Sequence, residues 1–170
     1  QGKGIDKLIA EIEATAAELQ AEVEICLTES VEDGICKARE AAEALNGAPA
    51  RFYACGGDGT LYEVVNGAYG FKNVQVAVIP LGSGNDFIRL FGNKEDLVDV
   101  AAQVNGTPIK LDVIKCLGKI AINQCSMGLD AEVCAGQAKF KKIPFINGEA
   151  AYTASLLYSF IGKMKSTFTV

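Results

Sequence analysis

The sequence contains no histidine among its 170 residues. This absence excludes the usual catalytic triads and the commonest general base, so any chemistry must use carboxylates, hydroxyls, amides, lysine, arginine or a hard metal ion. Six cysteines are present, but none forms a Cys-x-x-Cys pair, which argues against a zinc site. Their apolar neighbours favour an interpretation as small buried side chains in a reducing compartment.

The sequence also lacks long apolar runs and basic stripes. No run reaches the length of a membrane-spanning helix, and the first residues lack the apolar segment of a signal peptide. The net charge of −5 argues against a nucleic-acid partner and against constitutive electrostatic membrane binding. With 49% hydrophobic and 22% charged residues, the composition is that of a globular protein. We expect a cytoplasmic protein, and an acidic protein of this kind can still contact a membrane briefly through an apolar patch.

Apolar periodicity predicts that helices alternate with short strands over the first hundred residues. Helices are predicted at residues 5–19, 33–45, 60–68, 85–91 and 94–104, with Asn93 as the cap of the last one. Strands are predicted at residues 23–28, 51–55 and 74–79. This alternation predicts an α/β fold, in which a parallel sheet carries helices on its faces.

The pattern changes after residue 106. Residues 107–116 and 119–127 are strand-like and are joined by a predicted hairpin turn at Leu117-Gly118. We expect an α/β domain over residues 1–106 and the beginning of a β-rich domain over residues 107–170. Further expectations are a mobile basic linker at 136–148, a helix at 150–163 and a strand at 166–170. Because the sequence starts directly before a helix and ends inside a strand, we expect a leading strand and most of the second domain to lie outside it.

Two glycine-rich loops follow predicted buried strands. The first reads Cys-Gly-Gly-Asp-Gly-Thr over residues 55–60, and the second reads Pro-Leu-Gly-Ser-Gly-Asn-Asp over residues 80–86. Glycine lets the backbone approach a ligand closely, and the N–H groups at a helix start attract anions. Neither loop is a P-loop. Together they predict a phosphate site, although a tight strand-to-helix connection remains the alternative for each loop alone.

Several polar side chains of these loops have both a functional and a structural interpretation. An aspartate beside phosphate is unfavourable unless a metal ion or a proton transfer involves it, so Asp58 suggests metal-assisted phosphoryl transfer. Thr60 can cap the following helix or contact an anion. Glu63 is either a capping carboxylate or a ribose ligand. Asp86 and Arg89 are either functional residues or a surface ion pair.

The two loops and the residues after them resemble the diacylglycerol kinase catalytic-domain family, which includes bacterial lipid kinases and the sphingosine and ceramide kinases. The resemblance rests on Gly-Gly-Asp-Gly-Thr-Leu-x-Glu-Val-Val-Asn-Gly at 56–67 and Pro-Leu-Gly-Ser-Gly-Asn-Asp-Phe-x-Arg at 80–89. Weaker matches lie at 110–112 and 126–133. The resemblance implies phosphorylation of a lipid hydroxyl, with diacylglycerol as the default acceptor, in a cleft between a nucleotide domain and a β-sandwich lipid domain.

The resemblance also implies roles for individual residues. It assigns Asp58 and Asp86 to catalysis and, indirectly, Asp112 to a metal. The residues that it implies in nucleotide binding are Thr28, Gly56, Gly57, Asp58, Gly59, Thr60, Leu61, Tyr62, Glu63, Ser83 and Asn85. Ser83 stands where bacterial members more usually have threonine. In bacterial members the proposed base lies late in the second domain, whereas in sphingosine kinases the aspartate matching Asp58 takes that role. Asp58 is therefore either a base or an organiser of metal and phosphate.

The implied cofactors are ATP and Mg²⁺. The implied partners are a nucleotide, a lipid substrate, a membrane in transient contact and, as a further option, a second copy of the chain, but no nucleic acid. Two alternatives remain open. NAD kinase shares the Gly-Gly-Asp-Gly-Thr loop but lacks the second loop in this form. A non-catalytic nucleotide-binding or lipid-binding module is the other alternative if the natural chain ends at Val170.

Overall fold

The computed structural model of the chain describes residues 2–30, 32–92, 97–128, 131–134, 136 and 153–158. The chain divides into two compact units, Gln1–Asn123 and Gln124–Val170. In the second unit, residues 131–134 and 153–158 are helical, and the latter lie within the helix predicted at 150–163. The predicted strand at 166–170 and the predicted linker beyond residue 136 lie outside the described residues. The predicted domain boundary and β-sandwich stay predictions.

The first unit is a mixed α/β structure. Its elements in chain order are α1 (Gly2–Leu19), α2 (Asp33–Ala44), β1 (Ala50–Gly56), α3 (Asp58–Ala68), β2 (Val74–Pro80), a 3₁₀ helix (Phe87–Leu90), α4 (Val100–Asn105), β3 (Ile114–Cys116) and β4 (Lys119–Ala121). Strands β1 and β2 pair in parallel, as predicted, from Ala50 opposite Val74 to Gly56 opposite Pro80. Parallel strands need a crossover connection, and α3 supplies it. No helix within the described ranges combines the length and the apolar character needed to cross a membrane.

The core of the first unit lies where α3 meets the sheet and α2. Ala54 in β1, Ile79 in β2 and Leu61 in α3 are buried. A small residue brings α3 close to α2, because a Cβ added to Gly67 would lie 2.6 Å from the Cβ of Ala38. The packing of these three elements fixes where β1 ends and where α3 begins, which is the position of the first glycine loop.

The hairpin predicted at Leu117-Gly118 is confirmed. Strands β3 and β4 pair antiparallel with Cys116 opposite Lys119, and φ is 47° at Leu117 and 77° at Gly118. Two consecutive positive φ values are typical of the two-residue turn that matches the twist of a hairpin. Each strand has three residues, so both are shorter than the predicted ranges of 107–116 and 119–127.

The predicted strand at 23–28 is wrong. Residues 21–29 have no regular secondary structure, and among the described residues β1 pairs only with β2. The segment is instead held to the start of α2, where the Lys37 ammonium donates to the Leu27 carbonyl and the Glu29 N–H donates to Asp33 Oδ2 at 2.9 Å. A segment with strand propensity forms a strand only when a neighbouring strand pairs with it, and no described strand pairs with this segment.

Two helices differ from their predicted ranges. The helix predicted at 94–104 is not continuous, because Leu97 is helical, residues 98 and 99 are not, and the described helix α4 begins at Val100. Its N-cap is Asp99, whose Oδ1 accepts from the Ala102 N–H at 2.9 Å, while the predicted cap Asn93 lies outside the described residues. The helix predicted at 85–91 is a shorter 3₁₀ helix at Phe87–Leu90.

The expectation that most cysteines are buried is wrong. The exposed cysteines are Cys26, Cys36, Cys125 and Cys134, and the half-buried ones are Cys55 and Cys116. Of the exposed thiols of the first unit, Cys26 lies in the irregular segment before α2 and Cys36 lies on α2. Burial raises the pKa of the Cys55 thiol above its usual value.

Candidate functional site

The two glycine loops begin side by side at one edge of the parallel sheet. Gly56 is opposite Pro80 at the ends of β1 and β2, and the Leu81 N–H donates to the Gly56 carbonyl at 2.9 Å. The carboxyl ends of parallel strands form the edge where α/β proteins usually bind ligands. Local strand pairing thus brings the two sequence motifs together.

The backbones of the loops touch directly at two glycines. A Cβ added to Gly82 would lie 2.5 Å from the Cα of Gly57 and 3.1 Å from its nitrogen. A Cβ on Gly57 would in turn lie 3.2 Å from the Cα of Gly82. A Cβ at position 82 would overlap the facing backbone, and one at position 57 would be tight, so the close approach of the loops depends above all on Gly82 lacking a Cβ.

Asn85 closes the second loop on itself. Its Oδ1 accepts from the Gly82 N–H at 3.1 Å, and its Nδ2 donates to the Gly82 carbonyl. The residue is 5% exposed and has a φ of 52°. Asparagine tolerates this left-handed conformation better than most residues, because its short side chain can bond locally. Asn85 therefore stabilises the shape of the loop in which it was predicted to bind nucleotide.

Asp58 joins the two loops. It is the first residue of α3, and its carboxylate accepts from two backbone N–H groups of the second loop. The Asp86 N–H donates to Oδ2 at 3.1 Å, and the Phe87 N–H donates to Oδ1 at 3.2 Å. A carboxylate also interacts favourably with the positive end of the helix dipole. Asp58 thus caps the start of the 3₁₀ helix from a different element.

Two carboxylates converge near Gly84. A Cβ added there would lie 3.3 Å from Asp58 Oδ2 and 4.0 Å from Asp86 Oδ2. The other oxygen of Asp86 pairs with Arg89 Nη1 at 3.1 Å, and both side chains are largely exposed. The surface ion pair considered for Asp86 and Arg89 is therefore present, and it leaves one Asp86 oxygen turned toward Gly84.

The carboxylates of Asp58 and Asp86 near Gly84 are of the ligand type that Mg²⁺ takes. Mg²⁺ prefers oxygen ligands and is usually bound through one or two carboxylates together with substrate phosphates. Within the described ranges, no cluster of three or more cysteine or acidic residues could hold a metal by itself. A Mg²⁺ bound by Asp58 and Asp86 would take its remaining ligands from phosphate and water.

The start of α3 has the features of an anion site. Its N-cap is Gly57, which provides no side-chain cap, and the first N–H groups of a helix have no partner within it. A Cβ on Gly56 would overlap the Thr60 hydroxyl, whereas one on Gly59 would meet nothing within 4 Å. The Thr60 side chain therefore lies against Gly56, and the Cβ direction of Gly59 faces open space at the start of the helix.

The next two motif residues point in different directions. Leu61 is buried in the core, so its side chain is not available to a nucleotide, while Tyr62 is exposed. Glu63 turns away from the loops toward α2, where its Oε1 accepts from the Glu32 N–H at 3.1 Å. Glu32 is the N-cap of α2 and has a φ of 72°. Glu63 is thus a capping carboxylate, but it caps a different helix from its own.

The remaining predicted residues are exposed. Ser83 lies in the second loop, and Thr28 lies in the irregular segment that is held to the start of α2. Asp112 lies two residues before β3, and among the described residues no hydrogen bond or ion pair links it to either loop. The structure therefore brings together the residues of the two loops but shows no contact between them and Asp112.

Sequence reasoning missed the role of Asn66, which fastens the hairpin to α3. Asn66 is 8% exposed, and its Oδ1 accepts from the Ile120 N–H at 2.8 Å. Its Nδ2 donates to the carbonyls of Ile120 and Tyr62, both at 2.9 Å. Asparagine is unfavourable inside a helix unless its amide finds partners. The presence of Asn66 in a predicted helix was therefore the signal in the sequence that could have revealed this role.

Two grooves of the first unit lie away from the loop residues described above. One, of about 360 Å³, is lined by Lys7, Leu8, Glu11, Ile79, Leu81, Val98 and Asp99. The other, of about 490 Å³, is lined by Glu24, Cys26, Lys37, Glu40, Ala41, Ala44 and Leu45. The first borders the second glycine loop at Leu81 only, so its lining does not include the carboxylates that converge near Gly84.

Comparison with known proteins identifies similar sequences. The family model of the diacylglycerol kinase catalytic domain matches residues 1–116. The chain is 34% identical over 149 residues to a probable lipid kinase YegS-like protein of Pseudomonas aeruginosa (strain PAO1), a match that covers 86% of this chain and 48% of that protein. It is 42% identical over 73 residues to a diacylglycerol kinase of Bacillus subtilis (strain 168), covering 41% and 24% respectively.

The chain spans about half the length of the Pseudomonas relative that it matches. A diacylglycerol kinase of Staphylococcus carnosus (strain TM300) is 40% identical over 80 residues, which cover 46% of this chain and 26% of that protein. No solved structure gives a significant match. The similarity is therefore one of sequence, and it extends over both glycine loops.

Proposed function

We infer the function from the family of the chain, since the chain belongs to the diacylglycerol kinase catalytic-domain family. The proposed activity of the whole protein is ATP-dependent phosphorylation of a lipid hydroxyl. Diacylglycerol is the proposed acceptor and phosphatidate the proposed product, since curated relatives are named lipid kinase and diacylglycerol kinase. Because the chain spans only about half of the first relative, both the activity and the acceptor belong to the proposal.

The observation that carries the proposal is the joining of the two loops by Asp58. Its two oxygens accept from the Asp86 and Phe87 N–H groups, and the Gly57 and Gly82 backbones touch beside them. This fixes both loops and the start of α3 as one surface. Phosphoryl transfer needs little covalent help from a protein, and its catalysis is mostly positioning and electrostatic stabilisation.

The proposed reaction assigns a task to each group of residues. The backbone at Gly56, Gly57 and Gly59 and the first turn of α3 would bind phosphate, while Ser83 and Thr28 would contact the nucleotide. Asp58 and Asp86 would hold Mg²⁺, which neutralises phosphate charge when bound. The lipid hydroxyl oxygen would bond to the γ-phosphorus of ATP as the bond to ADP breaks.

The hydroxyl proton would pass to a carboxylate base. Asp58 is one candidate for this base, and a carboxylate beyond Val170 is the other. Because both oxygens of Asp58 already accept backbone N–H groups of the second loop, the geometry supports the role of organiser for Asp58. In this proposal the base is the later carboxylate.

The test uses the full-length protein with labelled ATP. Diacylglycerol, other lipid alcohols and NAD are offered side by side, with Asp58→Ala as the variant and Asp6→Ala, an exposed aspartate on α1, as the matched control. We expect label in the lipid fraction and a loss of at least about a hundredfold for Asp58→Ala, the scale of one electrostatic group. Label in NAD, or near-normal turnover of Asp58→Ala, would contradict the proposal.

A further inference from the structure

The tip of the β3–β4 hairpin carries an unusual residue for its position. Leu117 occupies the first central position of the turn with a φ of 47°, and it is 99% exposed. Turns of this type favour Asn-Gly or Asp-Gly, because most side chains are strained at positive φ. A leucine here is unfavourable for the backbone and gains no burial within the described residues of the chain. Scattered exposed apolar residues are ordinary, but this combination is not.

Exposed lysines surround the tip. Residues 107–123 contain Lys110, Lys115 and Lys119 but only one acidic residue, Asp112, although the whole chain has a net charge of −5. In the hairpin register Lys119 is opposite Cys116, and Lys115 is opposite Ile120. Neighbouring pairs project from opposite faces of a hairpin, so one lysine lies on each face just behind Leu117.

The base of the hairpin is fixed. Ile120 is buried, and both its N–H and its carbonyl bond to the Asn66 amide at 2.8 and 2.9 Å. This contact lies one residue behind Lys119. The tip is therefore held by α3 at its base while Leu117 and the two lysines extend beyond the contact.

We propose that the hairpin tip, defined as Lys115, Leu117 and Lys119, is a contact site for an anionic lipid surface. A leucine between cations fits a bilayer surface, because the apolar side chain enters the acyl boundary while the lysines reach lipid phosphates. The whole chain carries a net charge of −5, so its acidic parts are repelled by such a surface and a local cationic site favours docking. The inference deepens the proposed function and rests on it, since a lipid kinase meets its acceptor at a membrane.

The test measures co-sedimentation of the full-length protein with vesicles of phosphatidylglycerol and phosphatidylcholine. The variant is Leu117→Asn, which suits the turn and should fold at least as well as the parent. We expect binding to fall by about tenfold, the scale of removing one buried leucine side chain from lipid. Leu117→Phe should bind as the parent does.

The matched control is Leu19→Asn, which changes an exposed leucine at the end of α1 and should leave binding unchanged. Lys115→Gln and Lys119→Gln should each weaken binding to anionic vesicles by about fivefold at low salt. Both lysine variants should behave like the parent on vesicles of phosphatidylcholine alone. Melting temperatures of all variants show whether any loss of binding reflects unfolding.

Several results would overturn the inference. These are unchanged vesicle binding of Leu117→Asn, equal losses for Leu117→Asn and Leu19→Asn, or a parent dimer that Leu117→Asn converts to a monomer. The last result would assign Leu117 to contact with a second copy of the chain. Activity on diacylglycerol in detergent micelles is measured separately. If the parent binds vesicles but shows no activity in micelles, only the proposed kinase function is contradicted. If the parent is active in micelles but Leu117→Asn binds vesicles as the parent does, only the hairpin site is contradicted.

Discussion

Replacing Asn66 by alanine removes every described contact that its side-chain amide makes with the hairpin. The Ile120 N–H loses its acceptor at 2.8 Å, and the Ile120 carbonyl loses its donor at 2.9 Å. The bond to the Tyr62 carbonyl matters less, because that carbonyl also faces the backbone N–H of its own helix. The Arg39 guanidinium binds the Asn66 main-chain carbonyl, so it keeps its partner in the variant.

The expected loss of stability follows from the Ile120 N–H and carbonyl groups, which both lose their partners. A buried polar group left without a partner costs about 1–3 kcal/mol. Water can reach part of a hairpin edge, so we expect about 2–4 kcal/mol for the pair. This loss is local, since β1, β2 and α3 keep their own contacts. It should appear as detachment of the hairpin before the first unit unfolds as a whole.

Amide hydrogen exchange at Ile120 measures this detachment directly. We expect protection to fall at least about 30-fold in Asn66→Ala, which corresponds to about 2 kcal/mol. The control is Asn73→Ala, which removes one exposed bond from Nδ2 to the Ala48 carbonyl and should leave Ile120 unchanged. Unaltered protection of Ile120 in Asn66→Ala would refute the conclusion that this amide holds the hairpin.

A second substitution at residue 66 should make the protection of the Ile120 amide depend on pH in a predictable direction. Asn66→Asp keeps an acceptor for the Ile120 N–H. The new carboxylate, however, would face the Ile120 carbonyl, and these two acceptor groups repel each other unless a proton lies between them. Only the protonated acid can donate to that carbonyl, so the pKa of the new group should be raised in the folded protein. The variant should be closest to the parent at pH near 4 and lose protection at Ile120 as pH rises toward 7. A pH-independent loss would contradict this reasoning.

Three further predictions concern other described contacts. Gly82→Ala should lower the melting temperature and the proposed kinase activity, since its Cβ would lie 2.5 Å from the facing backbone. Gly59→Ala should keep the parent's melting temperature, because its Cβ would meet nothing within 4 Å. Glu63→Ala should destabilise α2 by about 1 kcal/mol in thermal unfolding, with Glu63→Gln nearer the parent. Cys55 should react with iodoacetamide at pH 8 more slowly than exposed Cys36, because burial raises the Cys55 pKa. Equal rates for the two thiols, equal melting of the two glycine variants, or parent-like unfolding of Glu63→Ala would contradict the respective arguments.

The sequence predicted the elements whose signals are local. Strand β1, helix α3 and strand β2 lie within two residues of their predicted bounds, because apolar runs and glycines mark their ends. The hairpin turn at Leu117-Gly118 was likewise placed by a two-residue signal. The strand predicted at 23–28 failed because strand formation depends on a partner, and the described part of the chain pairs β1 with β2 alone.

The positions of the two glycine loops were predictable, but the hydrogen bonds of their side chains were not. Parallel strands imply that both loops begin at one edge, and that expectation agrees with the contact of Gly57 and Gly82. The partner of each polar side chain was not predictable, because those partners are distant in the chain. Asp58 bonds to the N–H of a residue 28 positions away, and Glu63 bonds to one 31 positions away. No local pattern specifies such pairs.

The bond between Asn66 and Ile120 spans 54 residues and has a consequence for the order in which the chain folds. Closing a long loop costs more conformational entropy than closing a short one. The Asn66–Ile120 contact closes a long loop, whereas contacts between α3 and the two parallel strands close short ones. During synthesis α3 can therefore assemble with β1 and β2 while its asparagine amide still faces water. Ile120 must leave the ribosomal exit tunnel before that amide acquires its final partners, so we expect docking of the hairpin to follow the assembly of α3 with β1 and β2.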